Sequence, residues 1–317
     1  MKRQRVNISI LCSVYMKNIL ISGSSGFIGR ELCLKLKSNA TNVRRLVRDK
    51  SLVKEDSFFW DPTTKEINLS AFDNIDCVIN LSGEPIAQRW NNKSKKAILD
   101  SRIISTQFLV ESMNLAKSRA SLINSSGINY YGSNVGFIDY DETFRFNPDG
   151  FLSEVCHKWE AEAKAIETSQ FNNRLVILRT GVVINPKGGA LKRMLVPFKM
   201  GLGGAIGTGN QWMSWIELGD FIKVILWAID SDYSGYVNAV APYPIKNKEF
   251  SKVLSQTLKR PSFLPLPTWA VDMAFGQMGR ETVLADIGVL PKVLMNEGFD
   301  WSCPSIESAL AKGLLNK

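Results

Sequence analysis

The chain has 317 residues, 45% hydrophobic and 22% charged, enough for one large domain or two closely joined ones, and no charge-free apolar stretch reaches the roughly 18 residues of a membrane helix. Its net charge of +9 comes without a dense Lys/Arg stripe interleaved with aromatics, so the basic surface suits an anionic cofactor and no nucleic-acid partner is expected. Five scattered cysteines (Cys12, Cys33, Cys77, Cys156 and Cys303) without a CxxC pair, and His157 as the single histidine, point to a reducing, cytoplasmic setting and against a disulfide framework, a metal site or a His-dependent triad.

In chain order, Lys2, Arg3 and Arg5 precede a short apolar run, Ile8 to Val14. The run is too short for a secretory signal and lacks a small-residue cleavage site. Residues 1–15 are read as a tail, with organellar targeting left open and Met16 a second candidate start. Asn18 to Ser22 is a buried strand, followed by a Gly-rich turn and apolar residues at helical spacing, Phe27, Ile28, Leu32 and Leu36. Val43 to Val47, Cys77 to Leu81, Ser121 to Asn124, Arg174 to Leu178 and Val237 to Val240 read as further strands. Helices are expected at Ser101 to Ala116, Phe151 to Thr168 and Phe221 to Ile229. Strands alternating with helices imply right-handed crossovers and a parallel sheet.

The character changes near residue 185. Pro186 to Gly189 reads as the start of a loop, and Gly201, Gly203, Gly204, Gly207 and Gly209 crowd an irregular segment. The expected division is a tail (1–15), a dinucleotide-binding domain (16–240) with substrate-lobe loops around 185–215, and a C-terminal lobe (241–317). The fold class is α/β: a Rossmann-type, doubly wound parallel sheet with a smaller α/β substrate lobe.

Gly23-Ser24-Ser25-Gly26-Phe27-Ile28-Gly29 is a GxxGxxG turn between a strand and a helix. The first Gly permits a tight turn, the second lets backbone approach a pyrophosphate, and the third allows close helix packing. The helix N-terminus offers free N–H groups and a positive dipole end to phosphates. Cofactor type is read after the second strand, where a carboxylate binds the ribose of NAD and an arginine accommodates the 2′-phosphate of NADP. Arg48 stands there, with Arg44 and Arg45 nearby and Asp49 next in sequence. Arg48 makes NADP(H) the expectation over NAD(H), while Asp49 keeps the signal mixed and the three arginines also suit a solvated surface.

NLSGEPI (Asn80 to Ile86), SRIIST (Ser101 to Thr106), SSGINYYG (Ser125 to Gly132), LRTGVV (Leu178 to Val183), PFKMGLGG (Pro197 to Gly204) and GTGNQWMSWIELGD (Gly207 to Asp220) follow the glycine turn in that order. With VLPKVLMNEGFDW (Val289 to Trp301) they make the chain resemble, from about Met16 to Leu310, the atypical extended short-chain dehydrogenase/reductases called epimerase family proteins. Plant plastid-division homologues resemble it too. The resemblance implies a Rossmann domain with a small C-terminal lobe, bound NADP(H) and, since extended reductases are often dimers, a homodimer. It implies that Gly23, Ser25, Gly26, Phe27, Ile28 and Gly29 form the phosphate turn and that Arg48 meets the 2′-phosphate. Leu81, Ser82 and Gly83 would lie beside the adenosine and ribose, Arg102 would reach the cofactor from its helix, and Thr180, Gly181 and Val182 would flank the nicotinamide.

The chain departs from the family where extended reductases carry a Tyr and, four residues on, a Lys. Aligning the helix through Glu160 puts Leu152 and Cys156 at those positions. Leu152 has no exchangeable proton and Cys156 no stable cation, so the usual proton relay is unsupported. Ser126 fits the family's Ser position, and Tyr131 is the candidate to pass a proton, with aromatic packing as its alternative. Glu84 and Arg89, beyond a strand end, read as substrate contacts or a surface ion pair. Trp212 and Trp215 read as a substrate wall or as core. Two function classes remain. One is an enzyme moving hydride between NADP(H) and an unidentified small carbonyl or sugar-like substrate, oxidoreductase or epimerase-like. The other is a non-catalytic NADP(H)-binding regulatory or interaction protein, linked by resemblance to division.

Overall fold

The computed structural model describes residues 16–39, 41–139, 141–145 and 148–315, so the expectations for the N-terminal tail fall outside it. The glycine turn joins β1 (Asn18–Ser22) to α1 (Phe27–Ser38); β2 (Asn42–Val47), β3 (Ser57–Asp61), β4 (Glu66–Ile67) and β5 (Cys77–Asn80) follow. After these come α2 (Asn92–Leu115), β6 (Ser121–Gly127), β7 (Asn134–Ile138), α3 (Phe151–Lys164), β8 (Leu175–Thr180) and β9 (Val182–Ile184). The chain continues through α4 (Gly189–Lys199), β10 (Trp212–Met213), β11 (Trp215–Glu217), α5 (Leu218–Asp230), β12 (Gly235–Ala239), β13 (Ile245–Lys246) and α6 (Asn247–Leu258). It closes with α7 (Thr268–Phe275), α8 (Gln277–Glu281), β14 (Asp286–Val289), α9 (Lys292–Asn296) and α10 (Ile306–Leu314).

The main sheet has eight strands in the order β12-β8-β6-β5-β1-β2-β3-β4, parallel except for the β3–β4 pair. This is the expected doubly wound α/β fold. Its central strands are largely apolar because both faces are covered: α1 and α5 pack Leu32, Leu36, Phe221 and Ile225 on one side, and α2 and α3 pack Phe108, Leu109, Met113 and Ala163 on the other. The strand order reverses between β1 and β5, which pair in register from Ile19–Cys77 to Ser22–Asn80. Open α/β sheets bind ligands in the crevice at such a reversal.

Three elements differ from expectation. Helix α2 begins nine residues early, because the Asn91 side chain accepts from the Ser94 amide while the Ser94 hydroxyl accepts from the Asn91 amide; the first turns it adds carry Lys and Asn, which mask the apolar period. Helix α4 occupies Gly189–Lys199, where a loop was expected. A second sheet, β13-β10-β14-β7, takes β7 from the first unit and β14 from the last, so the chain is interleaved across the boundary read at residue 240. Among the described residues no helix is long and apolar enough to cross a membrane.

Candidate functional site

The glycine turn is shaped by contacts that exclude side chains. Gly23 has φ +75°, and a Cβ there would lie 2.6 Å from the Leu81 backbone. A Cβ on Gly29 would lie 2.3 Å from the Gly23 carbonyl oxygen, whereas one on Gly26 would meet nothing closer than that oxygen at 3.3 Å. The turn thus grips its own backbone at its two ends and stays open in the middle. Gly26 caps α1 with no side-chain hydrogen bond, so the helix start faces the crevice with its own amides.

The turn forms one wall of a cavity of about 600 Å³, which Arg48, Asp49, Ser82 and Gly83 also line. The Asp49 carboxylate accepts from the Ser51 amide at 2.9 Å and hydroxyl at 2.7 Å, which hold it below the usual carboxylate range. Arg44 is spent on the carbonyls of Ser70, Ala71 and Asp73, and Arg45 pairs with Asp56 at 2.7 Å. Arg48 forms no ion pair with a described carboxylate. Of these three arginines it is therefore the one that lines the cavity without a carboxylate partner.

A second cavity, about 390 Å³ and called the inner one, shares the Leu81–Gly83 wall and lies between the strand ends and the small sheet. Beside it, a chain of buried hydrogen bonds crosses the strand tips. Ser22 Oγ donates to Asn80 Oδ1 at 2.7 Å, and Asn80 Nδ2 donates to Asn124 Oδ1 at 2.7 Å and Thr106 Oγ1 at 2.8 Å. Trp159 Nε1 also donates to Thr106, at 2.9 Å, which orients the indole on the cavity wall. Thr180, Gly181 and Val182 form the opposite wall; a Cβ on Gly181 would lie 2.8 Å from the Ser214 carbonyl.

Leu152 and Cys156 both line this inner cavity, one turn apart on α3. Burial pushes the Cys156 thiol up to about 11, so at neutral pH it is neither nucleophile nor base. Ser126 lines the cavity and donates from Oγ to Glu160 Oε1 at 2.8 Å. Glu160 is clasped by Arg179 through Nε and Nη2, both at 2.9 Å, in a fully buried fork. Burial alone would lower the Arg179 guanidinium, but the Glu160 hydrogen bonds overcome it and raise it.

The sequence-derived residues therefore divide. Ile28, Leu81, Ser82, Gly83, Arg102, Ser126, Thr180, Gly181, Val182 and Trp212 line the inner cavity, and Gly23, Ser25, Gly26, Arg48 and Glu84 the outer one. Tyr131 is corrected: its hydroxyl donates to Asn238 at 2.9 Å and accepts from Arg179 at 3.1 Å, behind the cavity wall. Burial raises its phenol above its ordinary range, and the residue lines neither cavity. Trp215 is core: it is 1% exposed and its indole donates to the Tyr243 carbonyl. Arg89 is exposed and outside both linings, with no ion pair to Glu84. The Phe27 ring packs under Gly188, where a Cβ would lie 2.3 Å from it.

Asn129, Trp159 and Thr282 also line the inner cavity and were missed. Asn129 lay within the quoted SSGINYYG segment; Thr282 comes from the far lobe, and no local pattern points to it. Apart from this cleft, Glu217, Asp220 and Cys303 lie close together, but Glu217 accepts from Gly219 and Lys312, and Asp220 from the Ser302 and Cys303 amides. That cluster ties the C-terminal segment down.

A model of the NAD dependent epimerase/dehydratase family matches residues 19–240, and a domain of unknown function (DUF1731) matches residues 266–312. An epimerase family protein of Mycobacterium bovis is 37% identical over 294 residues, 92% of this chain and 96% of that one. The crystal structure of human epimerase family protein SDR39U1 (isoform 2) with NADPH superposes with TM-score 0.85 at 31% identity, covering 95% of this chain and all of that one. A nucleoside-diphosphate sugar epimerase from Corynebacterium glutamicum gives TM-score 0.77 at 30% identity, covering 94% of this chain and 58% of that one.

Proposed function

The chain belongs to the NAD dependent epimerase/dehydratase family, and from that premise we propose that it is an NADP(H)-dependent oxidoreductase or epimerase-like enzyme acting on a small carbonyl or sugar-like substrate without the Tyr-x-x-x-Lys pair. The observation that carries this reading is one cleft in which the glycine-turn chamber opens, past Leu81–Gly83, into a second, mostly apolar cavity at the strand ends. The human relative solved with NADPH supports the cofactor class, and the unpaired Arg48 supports the phosphorylated form.

Bound in this cleft, the dinucleotide would supply hydride exchange; the rest falls to the chain. Arg48 holds the 2′-phosphate, and the start of α1 with Gly26 takes the pyrophosphate. Ser126 gives its own hydrogen to Glu160 and so offers its oxygen as acceptor to a substrate hydroxyl. A proton leaving that hydroxyl passes through Ser126 to the Glu160 carboxylate, which Arg179 holds in place. Leu152, Val155 and Trp159 give the cavity an apolar wall.

The test is a titration of wild type and Arg48→Ala with NADPH and NADH, followed by Trp fluorescence. Losing a charged hydrogen bond to phosphate costs about 1.5–3 kcal/mol, so NADPH binding weakens roughly tenfold or more while NADH binding barely changes. Carbonyl substrates are then screened with Ser126→Ala alongside; an activity indifferent to that change removes Ser126 from the reading. The second reading, a dinucleotide-binding regulatory protein without turnover, is favoured by the absence of any Tyr, Lys, His or carboxylate from the described lining of the inner cavity. It takes the lead if NADPH binds and no carbonyl compound is turned over.

A further inference from the structure

Away from the cleft, two segments of the chain lie side by side and leave large apolar side chains in solvent. One is α4 with the loop after it, residues 189–207; the other is the loop before α7 with the start of that helix, residues 259–269. Backbone ties them together: the Leu266 amide donates to the Ala205 carbonyl at 2.9 Å, and the Gly207 amide donates to the Leu266 carbonyl at 2.8 Å. A Cβ on Gly204 would lie 2.1 Å from the Leu264 carbonyl oxygen. Val196, Met200 and Leu202 are exposed on the first segment, and Phe263, Leu264 and Trp269 on the second, with Phe263 at 73% and Trp269 at 66%. An apolar patch of this kind marks a contact surface. It lies outside both cavity linings.

Charge identifies the partner. Between Lys187 and Ile216, and again between Phe250 and Val271, the chain has no Asp or Glu. The same stretches carry Lys192, Arg193, Lys199, Lys259 and Arg260, all exposed, and none of these five pairs with a described carboxylate. On α4 the exposed Lys192, Val196, Lys199 and Met200 follow one another at helical spacing, so cations and apolar groups share one face. Pro261, Pro265 and Pro267 offer no N–H, and the Leu266 amide is already bonded; the loop therefore has few backbone donors to lose on leaving water. We propose that this face is a peripheral docking surface for a bilayer bearing anionic lipid headgroups. Phe263, Leu264 and Trp269 enter the interfacial layer, and the flanking Lys and Arg meet the headgroups. A second copy of the chain fits the face poorly, because a two-fold contact sets the five cations against their own copies.

The experiment sediments the full chain with two kinds of vesicle, phosphatidylcholine alone and equal parts phosphatidylcholine and phosphatidylserine. Wild type pellets with the anionic vesicles and not with the neutral ones, and high salt releases it. Lys259→Gln/Arg260→Gln lowers the affinity for anionic vesicles about thirtyfold, and Phe263→Ser/Trp269→Ser lowers it about tenfold or more. Lys117→Gln/Arg119→Gln, which removes two exposed cations just beyond α2, binds as wild type does. All six changed side chains are exposed, which keeps the fold out of the comparison. An equal loss in the Lys117/Arg119 variant overturns the proposal by making net charge the whole effect. Undiminished binding in the other two variants, or equal binding to neutral vesicles, overturns it too. Wild type that ignores both vesicles also overturns it, and a dimer in sedimentation velocity that Phe263→Ser/Trp269→Ser abolishes then gives the face to a second copy.

Discussion

Two buried arginines approach α3, one from β8 and one from α2, and they are handled in opposite ways. Arg179 is 1% exposed and finished by the protein: a two-pronged pairing with Glu160, the Tyr131 hydroxyl, the Glu142 carbonyl, and the Tyr130 ring at 3.4 Å. Arg102 is nearly as buried and has two carbonyls and one indole. Where the protein completes a cation, that cation is architecture, locking β8 to α3 and, through Glu160, fixing Ser126 in the cavity lining. Where it does not, the incompleteness faces the cleft. Buried charge is costly in both places, and only Arg102 keeps part of its guanidinium in a cavity lining.

The sharpest way to break this contrast is to take the partner from Arg179. Glu160→Gln leaves a buried guanidinium facing a neutral amide and should cost about 3–5 kcal/mol, read as a fall in the urea midpoint at unchanged slope. A loss below about 1 kcal/mol would make the Glu160 clasp dispensable and the contrast empty.

Thiols test the same burial without a charge. Cys77 and Cys156 are both pushed up to about 11 from 9.0 by desolvation. The folded state thus keeps a proton that the unfolded chain releases near pH 9. The stability linked to each thiol is fully present below about pH 9 and is lost as pH rises through about 11, about 2–3 kcal/mol per thiol. Urea titrations at pH 8 and pH 10.5 should show a shallower alkaline fall in Cys77→Ala than in wild type; identical slopes would mean that burial there is not felt as desolvation.

Arg102→Met should change ligand-free stability by no more than about 1.5 kcal/mol, since two neutral hydrogen bonds are lost while an unpaired cation is relieved. A fall as large as that of Glu160→Gln would merge the two arginines into one class. Arg89→Ala, at an exposed position outside both cavities, should stay within about 0.5 kcal/mol and leave NADPH affinity unchanged, a thermal-shift and titration control.

Much of this was legible in the residues. Apolar runs such as NILIS and CVIN fix strands because both faces of a parallel sheet are covered. Other parts were not. The start of α2 was hidden by its Lys-rich first turns, and α4 by the Gly pair at its start. Trp212 and Trp215 are two strand neighbours three residues apart, yet one lines the cavity and the other is core; the chain leaves β10 and enters β11, each paired in a different sheet, so simple alternation does not carry across.

The sequence by itself determined the glycine spacing, the alternation that builds the sheet, and the presence of Leu152 and Cys156 where a Tyr and Lys would do the chemistry. These are local properties, set by what a backbone turn or a helix face permits. Tertiary structure alone decided which polar groups remain free. Tyr131 left the site because its hydroxyl found Asn238, 107 residues away. Arg48 stayed in it because Arg44 and Arg45 found acceptors and Arg48 did not. Turn geometry is written in neighbouring residues, whereas the pairing of charges and hydroxyls depends on strands and helices that meet only when the chain is folded.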